Sequence, residues 1–275
     1  MNKIGCNICF SSSYLNLMTE ENYDYSICKS CGHVFQNNRK SSEHYDELPY
    51  ESQWNDYSSH CKNRASYIID FCSPNISKSK FILDIGSVPG GVLQELKSKL
   101  NNDAEYSGIT SIQDRDRAMM RGLKFIFGNF MDIKIENKYD FIILAHVLEH
   151  FINPSNALNK INSILNLNSF LYVEVPSFMW GEIRSIPIFS SVHLSYFTKN
   201  QLEYLLNING FEIIKIKESK YWGNIKVIAK KTKILQKSIL KENWILKLIS
   251  WNLKKYFIFH YYKLLKKFKN INPND

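Results

Sequence analysis

The sequence predicts an α/β protein: a doubly wound, seven-stranded Rossmann-like sheet with an antiparallel C-terminal hairpin, preceded by a small zinc ribbon and followed by a basic helical tail. Three observations carry this. Short apolar runs alternate with helical segments from Lys80 to Lys230, as in parallel strands joined by crossover helices. Two Cys-x2-Cys pairs stand near the N-terminus. Lysine and aromatic residues crowd the C-terminal segment. The implied division is 1–36 ribbon, 37–79 linker and helix, 80–230 sheet domain and 231–275 tail.

Cys6-x2-Cys9 and Cys28-x2-Cys31 are paired knuckles whose four thiolates suit one tetrahedral Zn2+. Residues 14–27 between them can form a hairpin that brings the knuckles together, and Gly32 supplies the positive φ such a turn needs. Four thiolates leave no open coordination position, so the metal is structural. Free buried cysteines are the alternative. Cys61 and Cys72 have no knuckle partner and read as semi-buried residues.

The elements follow in order. Residues 37–60 are polar and aromatic without a period and read as a linker or covering segment. Ala65, Ile68, Ile69 and Phe71 make a helical stripe over 61–71, stopped by Pro74. Strands are expected at 80–84, 104–109, 124–127, 139–145 and 170–175. Helices are expected at 92–100, 114–121, 154–165 and 199–209. Residues 211–217 and 225–230 form the closing hairpin.

Composition narrows the function. An apolar fraction of 44% and a charged fraction of 22% fit a globular chain and exclude global disorder. The net charge of +9 is uneven: residues 230–275 carry +10 and residues 1–229 carry −1. A nucleic-acid argument therefore has no basic stripe on the body to rest on. No signal-peptide core follows Met1, and no apolar run is long enough to span a bilayer. The expected location is cytoplasmic.

In an open α/β sheet, ligands bind at the carboxyl ends of the strands. The first sheet strand ends in Asp84-Ile85-Gly86-Ser87-Val88-Pro89-Gly90-Gly91, a turn that suits close backbone approach and an anionic group at the following helix. Alone it is equally an ordinary loop into a helix. Its order with YSGITS, YDFIILAHVLEHFINP, HLSYFT and GFEI resembles the class I S-adenosylmethionine-dependent methyltransferases over residues 80–230. With the cysteine pairs in front, it resembles the zinc-ribbon methyltransferases of sugar and surface-polysaccharide biosynthesis.

The resemblance implies S-adenosylmethionine as cofactor. It places Gly86 and Gly90 at the methionine portion, Asp84 under the amino group and Thr110 at the ribose. It places Asn129 at the adenine edge and His146 beside the sulfonium. Four positions depart from the family pattern. Val88 stands for a second glycine, Thr110 for an acidic residue, Asn129 for an aspartate, and Val192 for a glutamate before His193. Each charged hydrogen bond missing from the cofactor site costs about 1.5–3 kcal/mol. A degenerate, non-catalytic binding module is the alternative, and an RNA methyltransferase is a further, less favoured one.

Methyl transfer needs alignment and a proton acceptor. His193 is the first candidate base, His150 the second, and Tyr196 is expected to orient the substrate; a loop role for His193 and a structural role for His150 are the alternatives. With Val192 before it, His193 has no acidic neighbour in sequence and is expected to stay neutral. Such a base suits a hydroxyl better than a carbon, so O-methylation of a sugar-like or glycan acceptor is favoured over C-methylation. His146-x-x-Glu149-His150 also matches an inverted zinc-protease motif. That motif needs a continuous helix, and here a turn is expected at His146. A metal-assisted methyltransferase using Glu149 and His150 stays open.

In the tail, Trp244, Leu248, Trp251, Phe257 and Tyr261 interleave with Lys247, Lys254, Lys255, Lys263, Lys266 and Lys267. Over 239–268 this reads as packing on the sheet or on a second subunit, as peripheral contact with the inner face of an anionic membrane, or, least favoured, as a nucleic-acid contact.

Overall fold

The computed structural model describes residues 5–20, 23–37, 57–87, 89–179, 192–219 and 223–233, together with 243, 245, 246, 249 and 252. Val88, most of the 37–60 segment and almost all of the 239–268 tail lie outside the described residues. Among the described residues, no helix is long and apolar enough to cross a membrane.

The N-terminal segment forms β1 (Tyr14–Glu20), β2 (Tyr23–Cys28) and β3 (Val34–Gln36). β1 and β2 pair antiparallel from Tyr14↔Cys28 to Glu20↔Tyr23, the hairpin expected between the knuckles. Helix α1 (Tyr57–Cys72) follows, four residues longer at its start than the apolar stripe indicated. The sheet domain then runs β4 (Phe81–Ile85), α2 (Gly91–Leu100), β5 (Glu105–Thr110), α3 (Arg115–Met119), β6 (Lys124–Phe127), β7 (Tyr139–Ala145), α4 (Pro154–Ile164) and β8 (Leu165–Pro176). It closes with β9 (Ser195–Tyr196), α5 (Lys199–Ile208), β10 (Phe211–Glu218) and β11 (Asn224–Lys231).

Seven strands form one sheet in the order β10-β11-β8-β7-β4-β5-β6. The β4 to β8 strands are parallel, and β11 inserts antiparallel between β8 and β10. The expected doubly wound architecture is present. The chain leaves β4 toward β5 and β6, then returns to place β7 on the other side of β4. The carboxyl ends of β4 and β7 therefore flank the switch point, where such sheets bind ligands.

Alternation along the strands builds two cores. Ile82, Phe141, Ile143 and Tyr172 face Ala65 and Ile68 of α1 and Leu93 and Leu96 of α2. Leu83, Ile142, Leu144 and Val173 face Leu158 and Ile161 of α4 and Leu202 and Leu205 of α5. Successive strand residues point to opposite faces, so a central strand must be apolar at nearly every position. That is why β7 was legible as an unbroken apolar run.

Helix starts have local causes. Asn153 caps α4 through its side-chain oxygen, with Pro154 at the first helical position. Thr198 and Gln201 form a reciprocal capping box at α5. α3 is shorter than expected, five residues ending before Gly122, whose φ is 64°. β8 begins five residues before its expected start: Leu165 pairs with Tyr139 directly after α4, and a register shift precedes the regular ladder from Phe170.

The cysteine region is not separate from the sheet domain. β9 adds antiparallel to β3, as the fourth strand of the N-terminal sheet, with Val34↔Tyr196 and Phe35↔Ser195 as partners. Cys6, Ile8, Cys28, Cys31 and Phe35 share a continuous core with the α4–α5 face.

Two glycines with left-handed backbones test the packing of the first turn. A Cβ on Gly86 (φ 76°) would lie 2.5 Å from Val147 Cγ2, whereas one on Gly122 (φ 64°) would meet nothing within 4 Å. Left-handed backbone alone costs an L residue about 1–2 kcal/mol, and overpacking adds about 1–3 kcal/mol. Gly86→Ala should therefore lower stability by about 2 kcal/mol or more and Gly122→Ala by about 1 kcal/mol. Denaturant midpoints of the full chain measure both.

Candidate functional site

The first sheet strand delivers Asp84 to the carboxyl edge, 6% exposed. Burial pushes its carboxyl up to about 7, against the lowering effects of Ser87 and Arg64. The chain then turns at Gly86, held by the Gly86 and Ser87 N–H groups on the Ile109 carbonyl, at 3.0 and 2.9 Å. Gly90, with φ 88°, caps α2 without a side-chain bond. The helix thus presents its first N–H groups to the crevice, a favourable place for an anionic group. Thr110 ends β5, 3% exposed, and its hydroxyl has no hydrogen-bond partner among the described residues. Asn129 is exposed, and its side-chain oxygen accepts the Met131 N–H at 2.9 Å. That oxygen is already used within the turn.

At the end of β7 the backbone becomes left-handed at His146, with φ 56°. A short 3-10 turn, Leu148–His150, follows. The inverted zinc-protease reading is excluded here, because His146 lies outside any helix and the two histidines do not share a helix face. The expected turn at His146 is present.

This turn gathers the titratable groups. The Glu149 carboxylate is 1% exposed, with Oε1 3.5 Å from His146 Nδ1 and 3.8 Å from His150 Nε2. Burial works against its ionisation, yet His146, His150 and His193 together bring its pKa down to about 2. His150 donates from Nδ1 to the Val192 carbonyl at 2.8 Å. Burial pushes His150 down to about 4, so it is neutral near pH 7. Burial also disfavours charge on His146, but Glu149 and Glu174 outweigh it and raise its pKa.

His193 lies against His150, with ring centroids 5.0 Å apart. Ligand atoms of Glu149, His150 and His193 all fall within 4.8 Å of one another. The expectation that no carboxylate attends His193 is therefore corrected. Val192 leaves none in sequence, and the β7 turn supplies Glu149 through space.

Tyr196 is buried beside His193. Its ring is buried among Tyr25 and Phe178, with centroids 6.0 and 6.4 Å away. Its ring also lies 6.1 Å from that of His193.

A second carboxylate, Glu174 on β8, escaped the sequence reading. It accepts from Tyr172 Oη and from Asn224 Nδ2, both at 2.8 Å, and lies 3.6 Å from His146 Nε2. Burial opposes its charge, but His146, Arg64 and Lys226 hold it well below the usual carboxylate range. One acidic residue inside the apolar run of β8 was the available signal. Nothing in the sequence singled out Asn224.

The four expected cysteine ligands do meet. Cys6 and Cys31 Sγ are 3.6 Å apart, Cys9 and Cys28 Sγ are 3.5 Å apart, and all four lie within 4.8 Å of one another. A zinc ion with bonds of about 2.3 Å sets tetrahedral sulfurs about 3.8 Å apart, so the donor set fits. Phe10 and Gly32, each following the second cysteine of a knuckle, have φ of 61° and 67°. Between this cluster and His193, Asn7 donates to Ser195 Oγ at 2.7 Å. Gln201 donates to the Cys31 carbonyl at 3.2 Å, and the Gln36 N–H reaches Leu194 O at 3.1 Å.

Comparisons with known proteins bear on the fold and the family. No curated protein matches the sequence. Among solved structures, the plantazolicin methyltransferase BamL, in complex with a triazolic desmethylPZN analog and SAH, aligns at 18% identity and TM-score 0.52, covering 64% of this chain and 86% of that one. SAM-bound CalS10, an amino pentose methyltransferase from Micromonospora echinaspora, aligns at 13% identity and TM-score 0.51, covering 62% and 92%. An O-methyltransferase family protein from Burkholderia thailandensis aligns at 11% identity and TM-score 0.51, covering 64% of this chain but 58% of that one, so the chain spans little more than half its length. At these identities the likeness is one of fold. A family model described as a methyltransferase domain matches residues 57–216, from α1 into β10 and more than half of the chain. On that match, over the sheet and crevice described above, the chain belongs to the methyltransferase-domain family.

Proposed function

We propose that the protein transfers a methyl group from S-adenosylmethionine to a hydroxyl of a sugar, nucleotide-sugar or polysaccharide acceptor. One observation carries the reading. The glycine turn, buried Asp84 and a cluster of histidines and carboxylates converge on the switch-point edge of a methyltransferase-family sheet. The acceptor class rests on the motif resemblance in the sequence, and an amino pentose methyltransferase is among the proteins that share the fold.

S-adenosylmethionine supplies an electrophilic methyl group when bound. Gly86 and Gly90 let the backbone approach its methionine portion, Asp84 receives the ammonium and Thr110 meets the ribose. The Thr110 hydroxyl, without a partner of its own among the described residues, supports that role. Asn129 meets the adenine edge, and His146 borders the sulfonium. The acceptor hydroxyl becomes nucleophilic at Glu149, His150 and His193, with His193 the first choice for the group that faces it. Alignment of oxygen, methyl and sulfur does most of the remaining work.

Zinc in the four-cysteine cluster would be structural. It would fix Cys31 and the Asn7 turn, and through them the segment Leu194–Thr198. Purified, reduced protein should hold about one tightly bound zinc on thiolates, released when Cys28 and Cys31 are replaced by Ser. Elemental analysis reads this directly, and a metal-free cluster in fresh protein would count against it.

Asp84 gives a pH dependence. Burial raises its folded pKa to about 7, above the unfolded value of about 4. Without cofactor, its contribution to stability is therefore present below pH ~4 and is lost as pH rises toward 7. A bound ammonium supplies the missing countercharge and lowers that pKa. Calorimetry should show S-adenosylmethionine and its demethylated product binding more tightly as pH rises through 7, with the dependence removed in Asp84→Asn. A flat profile in the wild type would separate Asp84 from the amino group.

His193→Ala should lower turnover by about 100-fold or more, with cofactor affinity nearly unchanged. Methyl transfer from labelled cofactor to sugar hydroxyls measures the first and calorimetry the second. Full turnover in the variant would shift the step to His150.

A further inference from the structure

Glu149 poses a physical problem. A carboxylate 1% exposed is costly unless something compensates it. The surrounding imidazoles offset its charge, yet neither of its oxygens has a partner at hydrogen-bond distance among the described residues, and the nearest imidazole nitrogens stand off at 3.5 and 3.8 Å. Those separations are longer than a charge-assisted hydrogen bond, about 2.7–2.9 Å. They leave space between the groups.

His150 points to what belongs there. Its Nδ1 must carry the proton, because it donates to the Val192 carbonyl at 2.8 Å. The lone pair is therefore on Nε2, the nitrogen that faces Glu149. A backbone carbonyl that fixes one imidazole nitrogen and leaves the other as a donor is the usual support of a metal-bound histidine. His193 completes the set, with all three ligand atoms within 4.8 Å of one another.

We propose that Glu149, His150 and His193 bind one divalent transition-metal ion, such as Zn2+, Co2+ or Mn2+. Two imidazoles and one carboxylate suit such ions and leave positions open for substrate. This site is separate from the four-thiolate cluster, which has no open position.

The inference rests on the methyl-transfer reading and gives the same cluster a Lewis acid. The acceptor hydroxyl binds the ion as a further ligand and its pKa falls. Its proton leaves to solvent, and an oxygen electron pair forms the new C–O bond. The C–S bond of the sulfonium breaks, with its electrons going to sulfur. With the ion bound, His193 is a ligand, and the metal does the work that a bare His193 would do as base.

The test is metal stoichiometry on the full chain, with product binding measured on the same samples. Reduced protein dialysed against Zn2+ should hold about two equivalents, and His193→Ala and Glu149→Gln about one. His193 is only half-buried, so its variant should keep the fold even if Glu149→Gln does not. Titration with Co2+ should add a weak absorption without thiolate charge transfer, lost in His193→Ala. Affinity at this site should fall at least ~10-fold in each variant. A single equivalent in the wild type, bound by thiolates alone, overturns the proposal. So does a second equivalent that both variants retain. If S-adenosylhomocysteine still binds in those cases, the methyl-transfer reading stands. If the second metal binds but the nucleoside does not, that reading fails and the metal site stands.

Discussion

The turn that leaves β7 joins the parts of this molecule to one another. His146 takes a left-handed backbone there, and its N–H bonds the Glu174 carbonyl of β8 at 2.8 Å. One residue later, Val147 fills the space that a side chain on Gly86 would need, so the first glycine turn is packed against this one. Glu149 then accepts the Leu194 N–H on its carbonyl at 2.9 Å, and His150 holds the Val192 carbonyl. Gly86, Glu174 and His193 come from three distant stretches of sequence. Five residues set their mutual positions. A left-handed residue costs about 1–2 kcal/mol outside glycine, and such strain persists where its surroundings over-determine it.

The same turn concentrates charge where water is scarce. Glu149 and Glu174 are almost wholly buried, and His146 sits between them. Removing one member of such a group strands its partner, which costs about 3–5 kcal/mol, more than the intact group contributes to stability. Buried charges of this kind are poor stabilisers and good devices for chemistry. Glu174 is the better satisfied of the two, with Tyr172 and Asn224 donating to it. Glu149 has imidazoles around it at longer range, 3.5 Å to His146 and 3.8 Å to His150.

The cysteine region reaches the same edge from the opposite side. The segment 192–198 is held by His150 and Glu149 on one flank and by β3, Asn7 and Gln201 on the other. Gln201 is fully buried and serves twice, closing the capping box of α5 and bonding the Cys31 carbonyl. His33 stacks on Phe35 and lies against Phe197, with its Nδ1 3.4 Å from Gln201 Oε1. The four-cysteine cluster is thus joined through hydrogen bonds and a shared sheet to the segment that carries His193.

By itself the sequence determined whatever depends on near neighbours along the chain. Apolar runs marked β4 and β7 because buried parallel strands tolerate little else. Paired knuckles marked Cys6, Cys9, Cys28 and Cys31, since two residues is the spacing that lets one turn offer two sulfurs to one ion. The glycine turn and the break at His146 were legible from local backbone needs. Only the tertiary structure decided what meets across the sheet. It brought Glu149 to His193 in place of the glutamate missing at position 192, put Glu174 and Asn224 beside His146, and turned Tyr196 inward. It also joined β9 to β3, so the ribbon and the histidine segment share a sheet. These contacts span from 28 residues of chain, His146 to Glu174, to 162, Val34 to Tyr196, and no periodicity or spacing records them. They follow from strand order and from which side of the sheet each crossover takes, and packing settles both for the whole chain at once.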